Sequence, residues 1–182
     1  MDELTRLALA AGDGDRQALA SFVRASQVEV WRLSAHLVDR GSADDLTQEV
    51  YLRAVPALAR FRGDSSARTW LLTIVRRTCA DSLRRTIRQR RLAERVRSVT
   101  SSDELLEPDH AASYEDGLDG LIDLLVEERR SAFVMTQLLG LSYSETAEIC
   151  GVPVGTIRSR VSRARADLLR RLGEAETDLA AE

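Results

Sequence analysis

Gly155, Thr156, Arg158, Ser159, Arg160, Ser162, Arg163 and Arg165 stand within one stretch that holds no acid from Val154 to Arg165. Guanidinium forks and hydroxyls near a helix start are the groups that reach base edges and phosphates in a major groove. An ordinary surface helix mixes charge signs, and this one does not. Val154, Ile157, Val161, Ala164 and Leu168 recur at helical spacing in the same stretch, so one apolar stripe turns the polar face outward. The elements that must position this helix are legible just before it. Ser142 followed by Glu145 predicts a capping box and a helix from about Tyr143. Gly151 sits where a left-handed residue closes that helix, and Pro153 forbids its continuation. The spacing predicts a helix-turn-helix that reads duplex DNA.

The 182-residue chain is long enough for one domain or two small ones. Three prolines, 4% aromatics and abundant Ala, Leu and Arg predict an all-α fold. All 26 basic residues are Arg, for which coding bias is explanation enough without invoking bidentate phosphate contacts. The net charge of −3 argues against a nucleic-acid partner until its distribution is read. Residues 1–52 carry net −4, residues 53–97 net +10, residues 98–128 net −10, residues 129–172 net +5 and the last ten −4. Two basic blocks flanking an acidic one predict two DNA-facing modules joined by a segment that DNA repels. In the free protein the acidic linker is able to fold onto the basic helix at Arg84–Arg97, or the two modules to pack on each other and hide their DNA faces.

Cys79 and Cys150 are far apart and lack metal-ligand neighbours, which fits a reduced, cytoplasmic setting and a core role for both. No signal peptide and no membrane-length apolar run is visible, so a soluble protein with no membrane partner is expected. His36 and His110 are isolated, the serines lack a partnered base and no metal cluster exists. The expectation is no catalytic residue, no metal, no cofactor and no enzymatic activity.

Periodicity predicts helices over about Glu3–Ala11, Arg16–Val38, Ser42 or Asp44 to Leu58, and Ala67–Arg95. Pro56 is expected to kink or thin the end of the third. Phe61-Arg62-Gly63-Asp64-Ser65-Ser66 reads as a loop, with Ser66 capping the helix that follows. From Ser98 to about Gly117 the period is lost, and Pro108 and the serines mark a linker. Further helices are expected around Leu118–Leu125 and from Glu127 to Leu139, then the helix-turn-helix and an acidic tail at 173–182. The division is thus 1–97, 98–117, 118–172 and 173–182.

Asp45-Leu46-Thr47-Gln48-Glu49-Val50-Tyr51-Leu52-Arg53-Ala54, the Phe61–Ser66 loop and Thr69-Trp70-Leu71 resemble the second domain of extracytoplasmic-function sigma factors, of the sigma-70 family. Gly140-Leu141-Ser142-Tyr143, Gly151-Val152-Pro153-Val154-Gly155-Thr156 and Arg158-Ser159-Arg160 resemble their fourth domain. The resemblance spans nearly the whole chain in the expected order. It implies two small helical domains and an alternative sigma factor that directs core RNA polymerase to promoters. Asp45, Gln48 and Glu49 then dock on the clamp of the largest polymerase subunit, and the fourth domain meets the flap of the second largest; from the residues alone, solvated carboxylates at a capped helix start are an equal reading. Phe61, Arg62, Gly63, Asp64, Ser65, Arg68, Trp70, Arg76, Arg77 and Arg84 then belong to −10 recognition: the Phe61–Ser66 loop and the start of the next helix correspond to the element that captures flipped non-template bases, Arg62, Arg68 and Arg76 meet phosphates, and Arg77 stands at the upstream duplex edge. Unstacking costs a few kcal/mol per base, so a receiving pocket must offset it. Trp70 is either a core tryptophan or a platform at the fork.

Gly155, Thr156, Arg158, Ser159, Ser162 and Arg163 align with positions that contact the −35 element, with Arg160 and Arg165 as phosphate clamps. The family often has Asn at Arg77 and sometimes a bulkier group at Ser162, so the promoter sequence does not transfer. Sixteen to eighteen base pairs between elements is about 55–60 Å at roughly 3.4 Å each. A linker of roughly twenty residues relaxes to about 25 Å but reaches about 70 Å when extended. The acidic linker is either an inert tether or a nucleic-acid mimic in the polymerase cleft, and an anti-sigma protein is left open as a further partner. Two other classes compete: a dimeric operator-binding regulator and a DNA-processing enzyme of the serine recombinase kind. Neither accounts for the Asp45–Ala54 and Phe61–Leu71 blocks.

Overall fold

Side-chain caps and apolar stripes set each helix in the computed structural model, which describes residues 1–100 and 118–179. The first module is built from α1 (Glu3–Gly12), α2 (Arg16–Leu37), α3 (Ala43–Leu58) and α4 (Ala67–Thr100). The second holds α5 (Leu118–Asp123), α6 (Glu127–Phe133), a π-helical turn (Val134–Leu138), α7 (Tyr143–Cys150) and α8 (Val154–Leu179). No strand occurs among the described residues, in keeping with the all-α expectation.

Asp2 opens α1, its Oδ1 accepting the Thr5 N–H at 2.9 Å. The Thr5 hydroxyl in turn accepts the Ala67 N–H at 2.9 Å. That satisfies one of the free donors at the start of α4 and ties the loop before it to α1. Asp15 caps α2 through the Gln17 and Ala18 amides. Gly12 permits a close approach of α1 to the end of α3, since a Cβ there would lie 2.5 Å from the Leu58 carbonyl oxygen. Phe22, Val30, Leu33, Val50, Leu71, Leu72 and Val75 fill the space between these helices. At the edge of the core, the half-buried Tyr51 and buried Ser26 hydroxyls share a 2.8 Å hydrogen bond, so the polar ends of two packed residues are satisfied.

Several expected boundaries shift. The helix expected to end near Arg95 continues to Thr100, and α8 runs on to Leu179 through much of the stretch taken as an acidic tail. Pro56 lies inside α3, which ends two residues later at Leu58. The single helix expected over Glu127–Leu139 changes at Val134 to π geometry, where the Leu139 N–H bonds the Val134 carbonyl at 3.0 Å. Gly140, at φ 66°, then turns the chain into the α7 cap. Linker residues 101–117, including Pro108, His110 and Gly117, lie outside the described residues.

The second module packs on the first. α7 lies along α4, and α5, α6 and the π turn rest against α2. One continuous buried cluster runs from Phe22 and Leu33 through Leu71 and Val75 to Met135, Ile149 and Ile157. Cys79 and Cys150 both sit in it, as expected of small apolar residues. Burial pushes the Cys79 thiol up to about 11, which keeps it inert at neutral pH.

Candidate nucleic-acid interface

The helix-turn-helix forms by the capping logic in its sequence. The Ser142 hydroxyl accepts the Glu145 N–H at 3.1 Å, and Glu145 Oε2 accepts the Ser142 N–H at 2.8 Å. Hydrogen bonds from Ser142 hold the Glu145 carboxyl below its ordinary range, so the box stays intact into mildly acid solution. Gly151 closes α7 at φ 66° and ψ 36°, the left-handed region that favours glycine. Ile157, Val161, Ala164 and Leu168 are buried, and the opposite side of α8 faces solvent. Gly155, Arg158, Ser159, Ser162, Arg163 and Arg165 are exposed, while Thr156 and Arg160 are half-buried. Arg129 pairs with Asp167 at 2.5 Å and holds α6 across α8. Two expected contacts are already engaged. The Ser159 hydroxyl donates to the Thr156 carbonyl at 2.9 Å, and Arg165 Nη2 donates to Gln137 Oε1 at 2.6 Å.

The second polar site gathers at the opposite module. Arg60, Phe61, Arg62, Asp64, Ser65 and Trp70 line an open cavity of about 350 Å³, near the low end for small-ligand pockets. Phe61 and Trp70 wall it with rings 5.1 Å apart and tilted by 44°. Trp70 packs against the core and is half-exposed at the cavity. Gly63 turns the loop at φ 76°, and the Ser66 hydroxyl caps α4 by accepting the Thr69 N–H at 3.1 Å. Arg60 was missed by sequence reasoning, because it precedes the recognised block.

The remaining residues of this set do not all face the cavity. Arg77 and Arg84 are exposed on α4, with Arg84 donating to Asp81 at 2.7 Å. Arg68 is turned into the junction between modules. Its Nε lies 2.9 and 3.1 Å from the two Glu29 oxygens, and its Nη2 donates to the Leu139 carbonyl at 2.6 Å. It thus caps the end of the π turn from the other module. Arg76 lies beside the Cys150 thiol of α7, whose deprotonation burial opposes while Arg76 and Arg160 favour it. Of the two arrangements the charge blocks allow, the modules do pack on each other, but the contact engages only part of one basic face: Arg158, Ser159, Ser162 and Arg163 stay exposed; the linker alternative involves residues 101–117, outside the described residues.

On α3, Asp45 and Gln48 project outward. Glu49 is braced instead, accepting from Arg53 at 2.5 Å and from Arg85 at 2.9 Å. Leu52, 76% exposed, and Val55, 37% exposed, extend the Asp45–Gln48 face. At about 100° per residue all four lie within roughly 80° of arc. The missed signal was a leucine at i+4 from Gln48 and i+7 from Asp45, on the polar side of its helix.

A helix-turn-helix module and a four-helix module carrying a basic, aromatic-walled loop cavity define a sigma-70-type transcription initiation factor. The family model described as Sigma-70 region 2 matches residues 22–91, and that described as Sigma-70, region 4 matches residues 116–168. ECF RNA polymerase sigma factor SigC of Mycobacterium tuberculosis is 48% identical over 180 residues, covering 97% of this chain and 94% of the relative. The ECF RNA polymerase sigma-E factor of Escherichia coli is 35% identical over 165 residues, covering 84% and 85%. Among solved structures, the sigma factor RpoE of Bartonella quintana in complex with the anti-sigma factor NepR is 25% identical with a TM-score of 0.70, covering 85% of this chain and 96% of that one. CnrH in complex with the cytosolic domain of CnrY shares the fold at TM-score 0.72 and 23% identity, covering 95% and 99%.

The chain belongs to the extracytoplasmic-function sigma factors of the sigma-70 family. It is an alternative sigma factor that works with core RNA polymerase and directs it to promoters. The family is in general one of non-enzymatic initiation factors. Among the described residues no helix is long and apolar enough to cross a membrane, and no group of three or more His, Cys, Asp or Glu is placed to hold a metal ion.

Proposed function

We propose that the chain reads the −35 element with the open face of α8 and captures melted −10 bases in the Phe61–Trp70 cavity. The observation that carries this is the acid-free row Arg158, Ser159, Ser162 and Arg163, exposed on a helix whose other side is locked into the core. Such a helix presents its side chains without having to reorganise, so their positions relative to base edges are set before binding. Residues 1–97 form the docking and −10 module and residues 118–172 the −35 module, joined by the acidic segment 98–117. Asp45, Gln48, Leu52 and Val55 are the face for the polymerase clamp, with Glu49 as a brace beneath it. The protein acts in the cytoplasm and makes no bond itself; the polymerase does. A regulatory partner of the anti-sigma class is proposed on the likeness to RpoE.

Run-off transcription with core polymerase on a randomised promoter library tests the assignment. Wild-type protein is expected to select a −35/−10 pair. Arg163→Ala is expected to relax one −35 position, since a bidentate arginine–guanine contact discriminates by roughly 1–3 kcal/mol. An unchanged base preference in the selected pool would remove Arg163 from the reading set.

In the packed arrangement α7 lies along α4 and the two modules share one core, whereas their promoter elements lie about 55–60 Å apart. We propose that this arrangement is the free subunit's state and that polymerase draws the modules apart, releasing Arg68 from Glu29 and the Leu139 carbonyl for a −10 phosphate. Free protein is expected to bind a −10 fork much more weakly than holoenzyme does. Equal affinity in a fluorescence titration would contradict the idea.

A further inference from the structure

One arginine of α8 is held from outside its own helix. Arg165 Nη2 donates to Gln137 Oε1 at 2.6 Å, and Gln137 Nε2 donates to the Thr136 hydroxyl at 2.9 Å. That hydroxyl donates in turn to the Ala132 carbonyl at 2.8 Å. Each donor in the series meets an acceptor, so the Gln137 amide is fixed with its oxygen towards α8. Both Gln137 and Arg165 are exposed, and Arg165 has no carboxylate partner among the described residues. Gln137 reaches α8 from the Val134–Leu138 π turn, a geometry that is rare and occurs mostly at functional sites.

What this contact does follows from the place of Arg165 on the helix. At about 100° per residue it lies about 20° from Arg158, and about 10.5 Å further along α8. The first turns of a recognition helix meet base edges, so a cation that far beyond them meets the phosphate wall of the groove. A free arginine side chain samples many rotamers and loses that freedom when it grips a phosphate. A brace removes much of that freedom before DNA arrives. The amide oxygen is neutral and takes only one of five guanidinium N–H donors. The full charge and the other donors stay available.

We infer that Gln137 is a positioning residue for −35 binding, holding the Arg165 guanidinium ready for a phosphate at the edge of the element. This rests on the sigma-factor reading with Arg165 as a phosphate clamp, and adds to it a residue that acts without touching a base. Because Gln137 works through Arg165, its contribution to affinity disappears once Arg165 is gone.

Holoenzyme reconstituted with wild-type protein, Arg165→Gln, Gln137→Met or the double variant is titrated onto a promoter duplex at 50 and 200 mM salt. Methionine keeps the length of the side chain and removes the acceptor. A second set of duplexes carries a neutral methylphosphonate at one −35 phosphate at a time. One phosphate contact adds about 0.9 to the logarithmic salt slope, so wild type is expected to lose about 3.5-fold more affinity than Arg165→Gln across that fourfold salt change. One methylphosphonate is expected to weaken wild type and leave Arg165→Gln unmoved. Gln137→Met should respond to that same methylphosphonate much less than wild type does, and the double variant should bind like Arg165→Gln alone. A full wild-type response in Gln137→Met overturns the inference. So do additive losses in the double variant, which would assign Gln137 to folding or to a DNA contact of its own. If every methylphosphonate effect persists in Arg165→Gln, the clamp is refuted and the inference with it. Should no neutral phosphate weaken wild-type holoenzyme, the −35 reading itself falls.

Discussion

Leu52→Arg is expected to weaken assembly with core polymerase by at least about thirtyfold while leaving the isolated protein as stable as before. Leu52 is 76% exposed, so its removal opens no cavity, and a surface change of this kind stays within about ±0.5 kcal/mol. The loss arises on docking. An apolar side chain at the centre of a polar, acidic face has the character of an interface anchor, and truncating such anchors costs about 2 kcal/mol or more. The introduced cation adds repulsion, because a partner complementary to Asp45 is itself basic. Gln48→Ala, on the same face, should act in the same direction and more mildly. Glu49→Ala should differ in kind, because it strips Arg53 and Arg85 of their shared carboxylate and loosens α3 from α4. Measuring core-polymerase affinity alongside the thermal midpoint separates the two effects. A Leu52→Arg protein that binds core polymerase as tightly as wild type would remove α3 from the docking surface.

Ile157→Ala is expected to abolish −35 recognition although its side chain points away from the groove. Ile157 is fully buried between α8 and the elements beneath it. Deleting its branched chain should cost about 2–5 kcal/mol, transfer and cavity terms together. Module 2 is small, so a loss of that size is a large fraction of what holds the helix-turn-helix together. Arg158 and Arg163 would remain present but no longer be held within the tolerance that bidentate recognition demands. Denaturant unfolding followed by near-UV circular dichroism gives the stability change, and promoter selectivity in run-off transcription gives the functional one. Loss of −35 selectivity with undiminished stability would mean that Ile157 acts through the DNA interface and not through packing.

These two residues mark what a linear reading sees and what it overlooks. Ile157 announces itself by spacing, because a buried stripe with a period near 3.6 leaves its trace in any window of the chain. Leu52 does not. A leucine on the outer side of an amphipathic helix looks like noise until the helix is seated and its exposure known. The capping box at Ser142 and Glu145 and the left-handed Gly151 were equally plain, since caps are local hydrogen-bond chemistry within a few residues. The π turn at Val134–Leu138 was not legible, because Met135 and Thr136 carry nothing that distinguishes a 3.6-residue from a wider turn.

Arg68 shows the same division most sharply. The family resemblance assigned it to the −10 element; its actual partners, Glu29 and the Leu139 carbonyl, lie 39 and 71 residues away. Sequence alone determined the helices, their caps, the two basic blocks and the acid-free face of α8, because each depends on residues within a turn or two of one another. Only the tertiary structure decided that the modules share a core, which arginines that core engages, and which it leaves exposed. Those outcomes depend on burial and on partners brought together from distant positions, and neither is encoded in any local pattern.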